Sequence, residues 1–252
     1  SHLFYKNKTP GIGSFYILWW ARRDSNPHGF WPADFKSTAS TNSATRPSLY
    51  FSIIKGMRQI FIIHGGTSFN SIKRYKNHLA QLELSYERMK LRKKWPQWIV
   101  ESLTKYDVLL PTMPNNYNAQ YDEWKIYFEK MIPFFKEDVA LVGHSLGGTF
   151  LAKYLHEHPL KEPVQTLVLV APCYNDESLE DLGDFALSNA ANISRSAHEI
   201  HIFHSKDDDI VPFSELAKFT TDIPSAITHM LKNRGHFIDA TFPELLDILK
   251  QK

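Results

Sequence analysis

The 252-residue sequence contains a single cysteine, Cys173, and no apolar run of membrane length. One thiol excludes an intramolecular disulfide and is consistent with a reducing compartment, so we expect a cytoplasmic protein. The aromatic run at residues 15–20 is too short to span a bilayer and lacks the features of a signal peptide, so no membrane span is expected. The formal net charge of +2 is too small to indicate attraction to nucleic acid.

The sequence also lacks the common cofactor motifs. It contains no H-E-x-x-H pair, no P-loop and no Cys, His, Asp or Glu cluster with the spacing of a zinc site. The glycines at 11 and 13 do not lie between a strand and a helix, as a dinucleotide-binding fingerprint requires. We therefore expect neither a metal nor a nucleotide cofactor. Nothing in the sequence fixes the oligomeric state.

Residues 1–56 differ in composition from the rest of the chain. They show no sustained periodicity and are rich in Ser, Thr, Asn and Pro, which disfavours a packed core. The stretch from Trp19 to Pro47 resembles the conceptual translation of a transfer-RNA gene, and Met57 directly precedes the first strand-like run. We expect residues 1–56 to be an extension of the gene model and residues 57–252 to form the folded domain. A short aromatic docking arm is the alternative.

From Met57 onward, strand-like and helix-like patterns alternate along the chain. The strand-like runs are 58–63, 106–110, 138–142, 164–170, 199–204 and 227–231. The helical patterns are 72–91, 95–105, 121–135, 146–158, 175–190, 213–220 and 242–251. This alternation predicts an α/β fold, a compact three-layer sandwich whose mostly parallel sheet has about six strands. No long insertion follows the fourth strand, so a large cap domain is not expected.

The stretch Gly143-His-Ser-Leu-Gly147 fits the pattern G-x-S-x-G between a predicted strand and a predicted helix. In that context the serine lies on a strained turn that raises its hydroxyl above the sheet. The flanking glycines allow the strand and the helix to approach closely. The motif predicts that Ser145 is a nucleophile.

A nucleophilic serine needs a base and an acid, which in this arrangement follow it in the order Asp or Glu, then His. His236 follows Gly235 after the last predicted strand and is the predicted base. Three aspartates, Asp207, Asp208 and Asp209, are candidates for the acid. The loop Ser205-Lys-Asp-Asp-Asp-Ile-Val-Pro212 resembles the G-x-x-D-x-x-V-P motif of many α/β-hydrolases, with Ser205 in place of the glycine. This resemblance implies that Asp208 is the acid, and Asp207 remains the alternative. A solvated acidic loop is the simpler interpretation of this charge run.

A glycine-rich loop follows the first predicted strand at His64-Gly-Gly-Thr67. Backbone amides in such a loop stabilise the oxyanion together with the amide that follows the nucleophile, here that of Leu146. We predict Gly66 or Thr67 as the second donor. His64 precedes the serine and is interpreted as an anchor of the loop.

These motifs resemble the α/β-hydrolase fold, and in particular the small serine hydrolases of the retinoblastoma-binding protein 9 family and its short bacterial relatives. The resemblance covers about Met57 to Lys252 and includes the Asp-x-x-Val-Pro loop and a Met-Pro segment at Met113-Pro114. It implies that the following loop borders the active site. Substrate-binding residues are then expected at His64, Asn115, Tyr117 and Trp124, although helix capping and core packing would equally explain the last three.

One long segment, residues 71–103, departs from a compact hydrolase of this kind. Between Ser71 and Trp95 it carries eight basic and two acidic residues. A helical lid that favours anionic substrates is one interpretation, and a solvated helix face is the other.

Taken together, the motifs predict a serine hydrolase that is esterase-like. It would cleave a carboxylic ester, thioester or amide of a small-molecule or peptide acyl substrate through an acyl-enzyme. An acyltransferase that uses the same three residues is the alternative within this fold. A non-catalytic binding protein on the same scaffold is the alternative from another class.

Overall fold

The computed structural model describes residues 57–251, except for the side chain of Arg88. The predicted extension at residues 1–56 lies outside the described residues. The strands are β1 (Gln59–Ile63), β2 (Asp107–Leu109), β3 (Ala140–His144), β4 (Val164–Val170), β5 (Ala197–Ser205) and β6 (Ile227–Leu231). The helices are α1 (Ile72–Gln81), α2 (Tyr86–Met89), α3 (Trp95–Ser102), α4 (Tyr121–Glu129), α5 (Leu146–Glu157), α6 (Glu215–Asp222) and α7 (Pro243–Lys250). Three 3₁₀ turns lie at Ile132–Phe134, Gly183–Phe185 and Ala191–Arg195.

The six strands form one sheet in the order β2-β1-β3-β4-β5-β6, and every neighbouring pair is parallel. The chain first moves outward from β1 to β2 and then returns to the other side of β1 with β3. Such a reversal creates a crevice at the carboxyl ends of the strands, where ligands bind in open parallel sheets. The predicted α/β class, with about six strands and no large cap, is confirmed.

Alternating strand residues supply two cores, one on each face of the sheet. On one face Phe61, Leu141 and Leu169 pack beneath α4, α5 and α6. On the other face Val142 and Val170 pack beneath α3 and α7. The central strands are apolar on both faces, as is typical of parallel strands covered by helices on each side.

The predicted helix at 175–190 is wrong, since the structure has irregular loop there with one 3₁₀ turn. The buried carboxylate of Glu215, at the start of α6, accepts hydrogen bonds from the amides of Tyr174, Asn175 and Asp176 at 2.7, 2.9 and 3.1 Å. Gly183 has a φ of +52°, which a helix does not allow. Side-chain acceptors thus compete with helical hydrogen bonding for these amides.

The predicted helix at 72–91 is interrupted between Gln81 and Tyr86, where Leu82 is extended. Helix α1 buries none of its residues, so no packing favours its continuation. The last part of the predicted lid, in contrast, belongs to the core, because Trp95, Ile99 and Leu103 are almost fully buried. Only residues 71–94 therefore remain as a lid hypothesis.

None of the helices between residues 57 and 251 is both long and apolar enough to cross a membrane.

Candidate active site

Ser145 lies on the turn that joins β3 to α5, which we call the serine elbow. Its φ of 54° and ψ of −125° are strained for a residue with a side chain. An added Cβ at Gly143 would lie 2.5 Å from the carbonyl oxygen of Gly147, and one at Gly147 would lie 2.5 Å from that of Ile63. Glycine is therefore required at both positions for the strand, the helix and β1 to approach one another.

The side chains of Ser145, His236 and Asp208 form a continuous hydrogen-bonded chain. Ser145 Oγ lies 2.8 Å from Nε2 of His236, and Nδ1 of His236 lies 2.9 Å from Oδ2 of Asp208. Because the carboxylate only accepts, Nδ1 carries the proton and Nε2 is free to accept from the serine hydroxyl. Each of the three residues follows a different strand, at the carboxyl edge of the sheet.

Asp208 and Asp207 are held differently in the loop after β5. Asp208 Oδ1 also accepts from the amides of Ile210 and Val211, both at 2.9 Å. Burial alone would raise the pKa of Asp208, but the bonds from His236 and from these amides lower it below its usual value. The carboxylate that faces His236 is therefore ionised over a wide pH range.

Asp207 instead connects two loops. Its carboxylate accepts from the hydroxyl of Ser205 and, at 3.1 Å, from the amide of Gly235. Ser205 Oγ in turn accepts from the amide of Arg234 at 3.1 Å. Ser205 takes the place of the glycine that the resemblance leads us to expect, and here its hydroxyl helps to join the Asp208 loop to the His236 loop.

A second histidine, His144, holds the His236 loop from the elbow side. Its Nε2 lies 2.9 Å from the carbonyl oxygen of His236, to which it donates. Burial is the main cause that lowers the pKa of His144 to about 3, and the neighbouring His236 adds to the effect. His144 is therefore neutral at physiological pH and acts as a fixed donor. No motif in the sequence indicates this role for His144.

Trp95, the first residue of α3, provides another attachment for this loop. Its indole Nε1 donates to the carbonyl of Phe237 at 3.0 Å, and its amide donates to the carbonyl of Asp239 at 3.1 Å. Gly235 and Phe237, on either side of His236, both have a positive φ. The bonds from Trp95 and His144 thus hold a loop whose backbone is strained next to the imidazole.

In the loop after β1, one of the two amides predicted as oxyanion donors is engaged elsewhere. The amide of Thr67 donates to the carbonyl of Asn116 at 2.9 Å, so the prediction of Thr67 as a donor is wrong. The amide of Gly66 has no hydrogen-bond partner within residues 57–251. Gly66, Ser145 and Leu146 line one small cavity. The amide of Leu146 is the first of α5 and has no helical acceptor.

A cleft of about 510 Å³ opens beside Ser145 and His236. It is lined by His64, Gly66, Lys94, Trp95, Asn116, Glu180, Ile210, Phe237 and Ile238, among others. His64 anchors the loop below the cleft, because its Nε2 accepts from the amide of Met113 at 2.8 Å and its Nδ1 donates to the carbonyl of Gly65 at 2.6 Å. With both ring nitrogens engaged, His64 is not available to transfer a proton.

Three predicted pocket residues do not line this cleft. Trp124 is fully buried and donates to the carbonyl of Pro114 at 2.7 Å. Asn115 has a φ of +48° in a turn, and its side chain donates to Glu123. Tyr117 is 74% exposed. The loop does border the site, but it does so through Asn116.

Cys173 lines the small cavity beside Ser145, yet its thiol is not an activated nucleophile. Burial raises the pKa of Cys173 well above its usual value, and the neighbouring carboxylate of Glu215 adds to the effect. Across residues 57–251, no group of three or more His, Cys, Asp and Glu side chains is arranged to hold a metal ion.

The parallel sheet, the serine elbow and the crevice at the carboxyl edge define an α/β-hydrolase-fold protein. Residues 89–249 match the family model described as serine hydrolase, and this is more than half of the chain. The chain therefore belongs to the serine hydrolase family and is a hydrolase. The matched part begins at Met89, after β1 and α1.

Individual proteins agree with this assignment. The chain is 25% identical over 203 residues to the putative hydrolase YdeN of Bacillus subtilis, covering 76% of this chain and 94% of the relative. The crystal structure of the ydeN gene product from B. subtilis superposes with a TM-score of 0.61 at 23% identity, over 77% of this chain and 97% of that chain. A putative YdeN-like hydrolase from Pectobacterium atrosepticum superposes with a TM-score of 0.52 at 14% identity, over 81% of this chain and 95% of that chain. The last two similarities concern the fold alone.

Proposed function

We propose that this hydrolase cleaves a carboxylic ester, thioester or amide through an acyl-enzyme formed on Ser145. The observation that carries the proposal is the hydrogen-bonded chain from Ser145 Oγ through His236 to Asp208. A lone serine hydroxyl is a weak nucleophile, and an adjacent imidazole with a bound carboxylate is the arrangement that activates it.

In the proposed first step, Ser145 Oγ attacks the substrate carbonyl carbon while His236 Nε2 takes the hydroxyl proton. Asp208 keeps the proton of His236 on Nδ1 and stabilises the imidazolium. The tetrahedral oxyanion accepts hydrogen bonds from the amides of Leu146 and Gly66. When the intermediate collapses, His236 returns its proton to the leaving group, and the acyl group remains on Ser145.

In the second step, water attacks the acyl carbon while His236 removes one of its protons. Collapse of the second tetrahedral intermediate releases the carboxylic acid, and His236 returns the proton to Ser145 Oγ. The cleft of about 510 Å³ beside Ser145 lies within the usual size range of small-molecule sites, which fits a small acyl substrate.

The proposal is tested with p-nitrophenyl esters of increasing chain length, with the ester in excess over the protein, by rapid mixing before the steady state and by steady-state rates. We expect a burst of one p-nitrophenolate per protein molecule, followed by slower turnover, for wild type but not for Ser145→Ala. The exposed Ser194→Ala variant is the matched control and should behave like wild type. Equal ester hydrolysis by wild type and Ser145→Ala would show that the chemistry lies elsewhere.

A further inference from the structure

The segment from Ser71 to Lys94, which we call the basic segment, exposes many apolar side chains. Ile72, Leu79, Leu82, Leu84, Tyr86, Met89 and Leu91 are between 41% and 102% exposed. Within α1, Ile72, Tyr75 and Leu79 follow one another at intervals of three and four residues, which is the spacing of one helix face, and Tyr86 and Met89 repeat the interval in α2. This concentration of exposed apolar side chains in one short segment favours an interaction site over an ordinary solvated helix.

The same segment concentrates positive charge. Its eight basic and two acidic residues give it a formal charge of +6, although the whole chain carries only +2. Outside it, residues 57–70 and 95–252 contain 14 basic and 23 acidic residues, a formal charge of −9. Lys73, Lys76 and Lys94 have no ion-pair partner among the residues that the structure describes.

The basic segment lies at the rim of the active-site cleft. It begins just after the Gly66 loop, and its last residue, Lys94, lines the cleft together with Ser145 and His236. Near its start, Arg74 forms an ion pair with Asp181 at 2.8 Å, which attaches α1 to the loop between β4 and β5. A surface that engages the basic segment would therefore face the opening of the cleft.

We propose that the basic segment binds anionic lipid membranes and presents the cleft to the membrane surface. Interleaved basic and apolar side chains on an amphipathic segment are the features of helices that lie in the plane of a lipid interface. Apolar side chains enter the headgroup region, and the lysines pair with anionic lipids. The acidic remainder of the domain is repelled by the same lipids, which orients the cleft side of the molecule toward the membrane.

Other occupants fit this surface less well. A second copy of the basic segment would place one formal charge of +6 against another, so the two copies would repel each other. Residues 1–56 carry seven basic and two acidic residues, so they are also repelled electrostatically. A nucleic acid would satisfy the charge and have Tyr86 to stack on, but the four leucines, the isoleucine and the methionine offer its bases no stacking surface.

The test is cosedimentation of the full 252-residue chain with phospholipid vesicles. We expect binding to vesicles of equimolar phosphatidylglycerol and phosphatidylcholine, and little binding to phosphatidylcholine alone. The Lys73→Glu/Lys76→Glu variant should bind the anionic vesicles at least about 20-fold more weakly, since each basic residue near an anionic surface contributes about fivefold. The Leu84→Ser/Leu91→Ser variant should bind about 10-fold more weakly, because it buries less apolar surface.

The matched control is Lys105→Glu/Lys161→Glu, which makes the same charge change at exposed positions away from the basic segment. It should bind the anionic vesicles like wild type. The proposal would be overturned if wild type bound neutral and anionic vesicles equally well. It would also be overturned if the control variant lost as much binding as Lys73→Glu/Lys76→Glu. A third contradicting result would be a protein that does not bind vesicles but self-associates or binds RNA, and that loses this property in the Lys73→Glu/Lys76→Glu variant.

Hydrolysis of a water-soluble p-nitrophenyl ester without vesicles separates this proposal from the proposed chemistry. The basic-segment variants should retain wild-type rates in that assay. If vesicle binding is absent and ester hydrolysis persists, only the interfacial proposal fails. If the protein binds the anionic vesicles but the Ser145→Ala variant hydrolyses the ester as fast as wild type does, only the catalytic proposal fails.

Discussion

Two segments border the same cleft, and they differ in how firmly the rest of the protein fixes them. The His236 loop is fixed by several hydrogen bonds, whereas the basic segment is largely exposed. The His236 loop receives hydrogen bonds from His144 and Trp95 and donates its Gly235 amide to Asp207. The basic segment begins with a helix that buries none of its residues and is attached through the Arg74–Asp181 ion pair. A group that transfers protons needs a position fixed to a fraction of an ångström, whereas a surface that meets a lipid interface needs exposure. Substitutions in the His236 loop should therefore lower the rate of ester hydrolysis, whereas substitutions in the basic segment should leave that rate unchanged.

The largest effect is expected at His236 itself. His236→Ala removes the proposed base and should lower kcat on a p-nitrophenyl ester on the order of 10⁵-fold or more, as loss of a triad member does elsewhere. Steady-state kinetics measure this loss, with a circular dichroism melt to verify folding. A loss of less than tenfold would show that another group serves as the base.

The two neighbouring aspartates should differ by orders of magnitude. Asp208→Asn leaves the loop intact but removes the carboxylate that holds the imidazole tautomer, and kcat should fall about 10⁴-fold. Asp207→Asn weakens the link between Ser205 and Gly235, and its kcat should fall by about tenfold or less. Comparable losses in both variants would contradict the assignment of Asp208 and favour the alternative, Asp207.

A smaller effect is expected where His144 holds the loop. His144→Leu removes the donor to the carbonyl of His236, and the displaced imidazole should lower kcat about 10- to 100-fold with little change in KM. His144→Gln can still donate from its amide nitrogen and should recover most of the lost rate. Failure of glutamine to recover any activity would mean that the bond to the His236 carbonyl does not position the base.

His144 should also make the folded protein sensitive to acid. Its pKa of about 3 in the folded state lies below the ordinary value near 6.5 that applies after unfolding. Below pH 6.5 the unfolded chain binds a proton that the folded chain does not, so stability falls as the pH is lowered. Between pH 6.5 and 5 this one group should reduce the free energy of unfolding by about 2 kcal/mol.

Urea unfolding of wild type and His144→Gln at several pH values measures this contribution. The glutamine variant should lose about 2 kcal/mol less than wild type over that pH range. The exposed His198→Gln variant is the control and should follow wild type. Identical pH dependence in all three proteins would show that burial of His144 does not couple stability to pH.

The smallest effect on chemistry is expected in the basic segment. Lys73 and Lys76 are exposed and do not line the cleft, so their replacement by glutamate should change kcat on a soluble ester by less than about twofold. The measurement is the steady-state rate without vesicles. A large loss would mean that α1 takes part in shaping the active site, and the contrast between the two segments would disappear.

The fold could be predicted because its signals are local. Each strand is an apolar run of a few residues, and the elbow is a pentapeptide between a strand and a helix. The relative order of Ser145, Asp208 and His236 along the chain likewise required no knowledge of distant contacts. These features depend on short stretches of sequence.

The features that were missed depend on contacts between distant parts of the chain. Glu215 lies about 40 residues from the amides that it binds, and no periodicity reveals that it replaces a helix at 175–190. Trp95 reaches the carbonyl of a residue 142 positions away. Thr67 was predicted as an oxyanion donor because its loop is rich in glycine, but Asn116 engages its amide.

The most direct test of the central claim is active-site labelling with a fluorophosphonate, followed by mass spectrometry of the digested protein. Activated serines react with this electrophile through the same attack that forms the acyl-enzyme. We expect one label per molecule, on the peptide that contains Ser145, in native wild type but not in denatured protein or in His236→Ala. Native protein that remains unlabelled at Ser145, or labelling that does not depend on His236, would contradict the account.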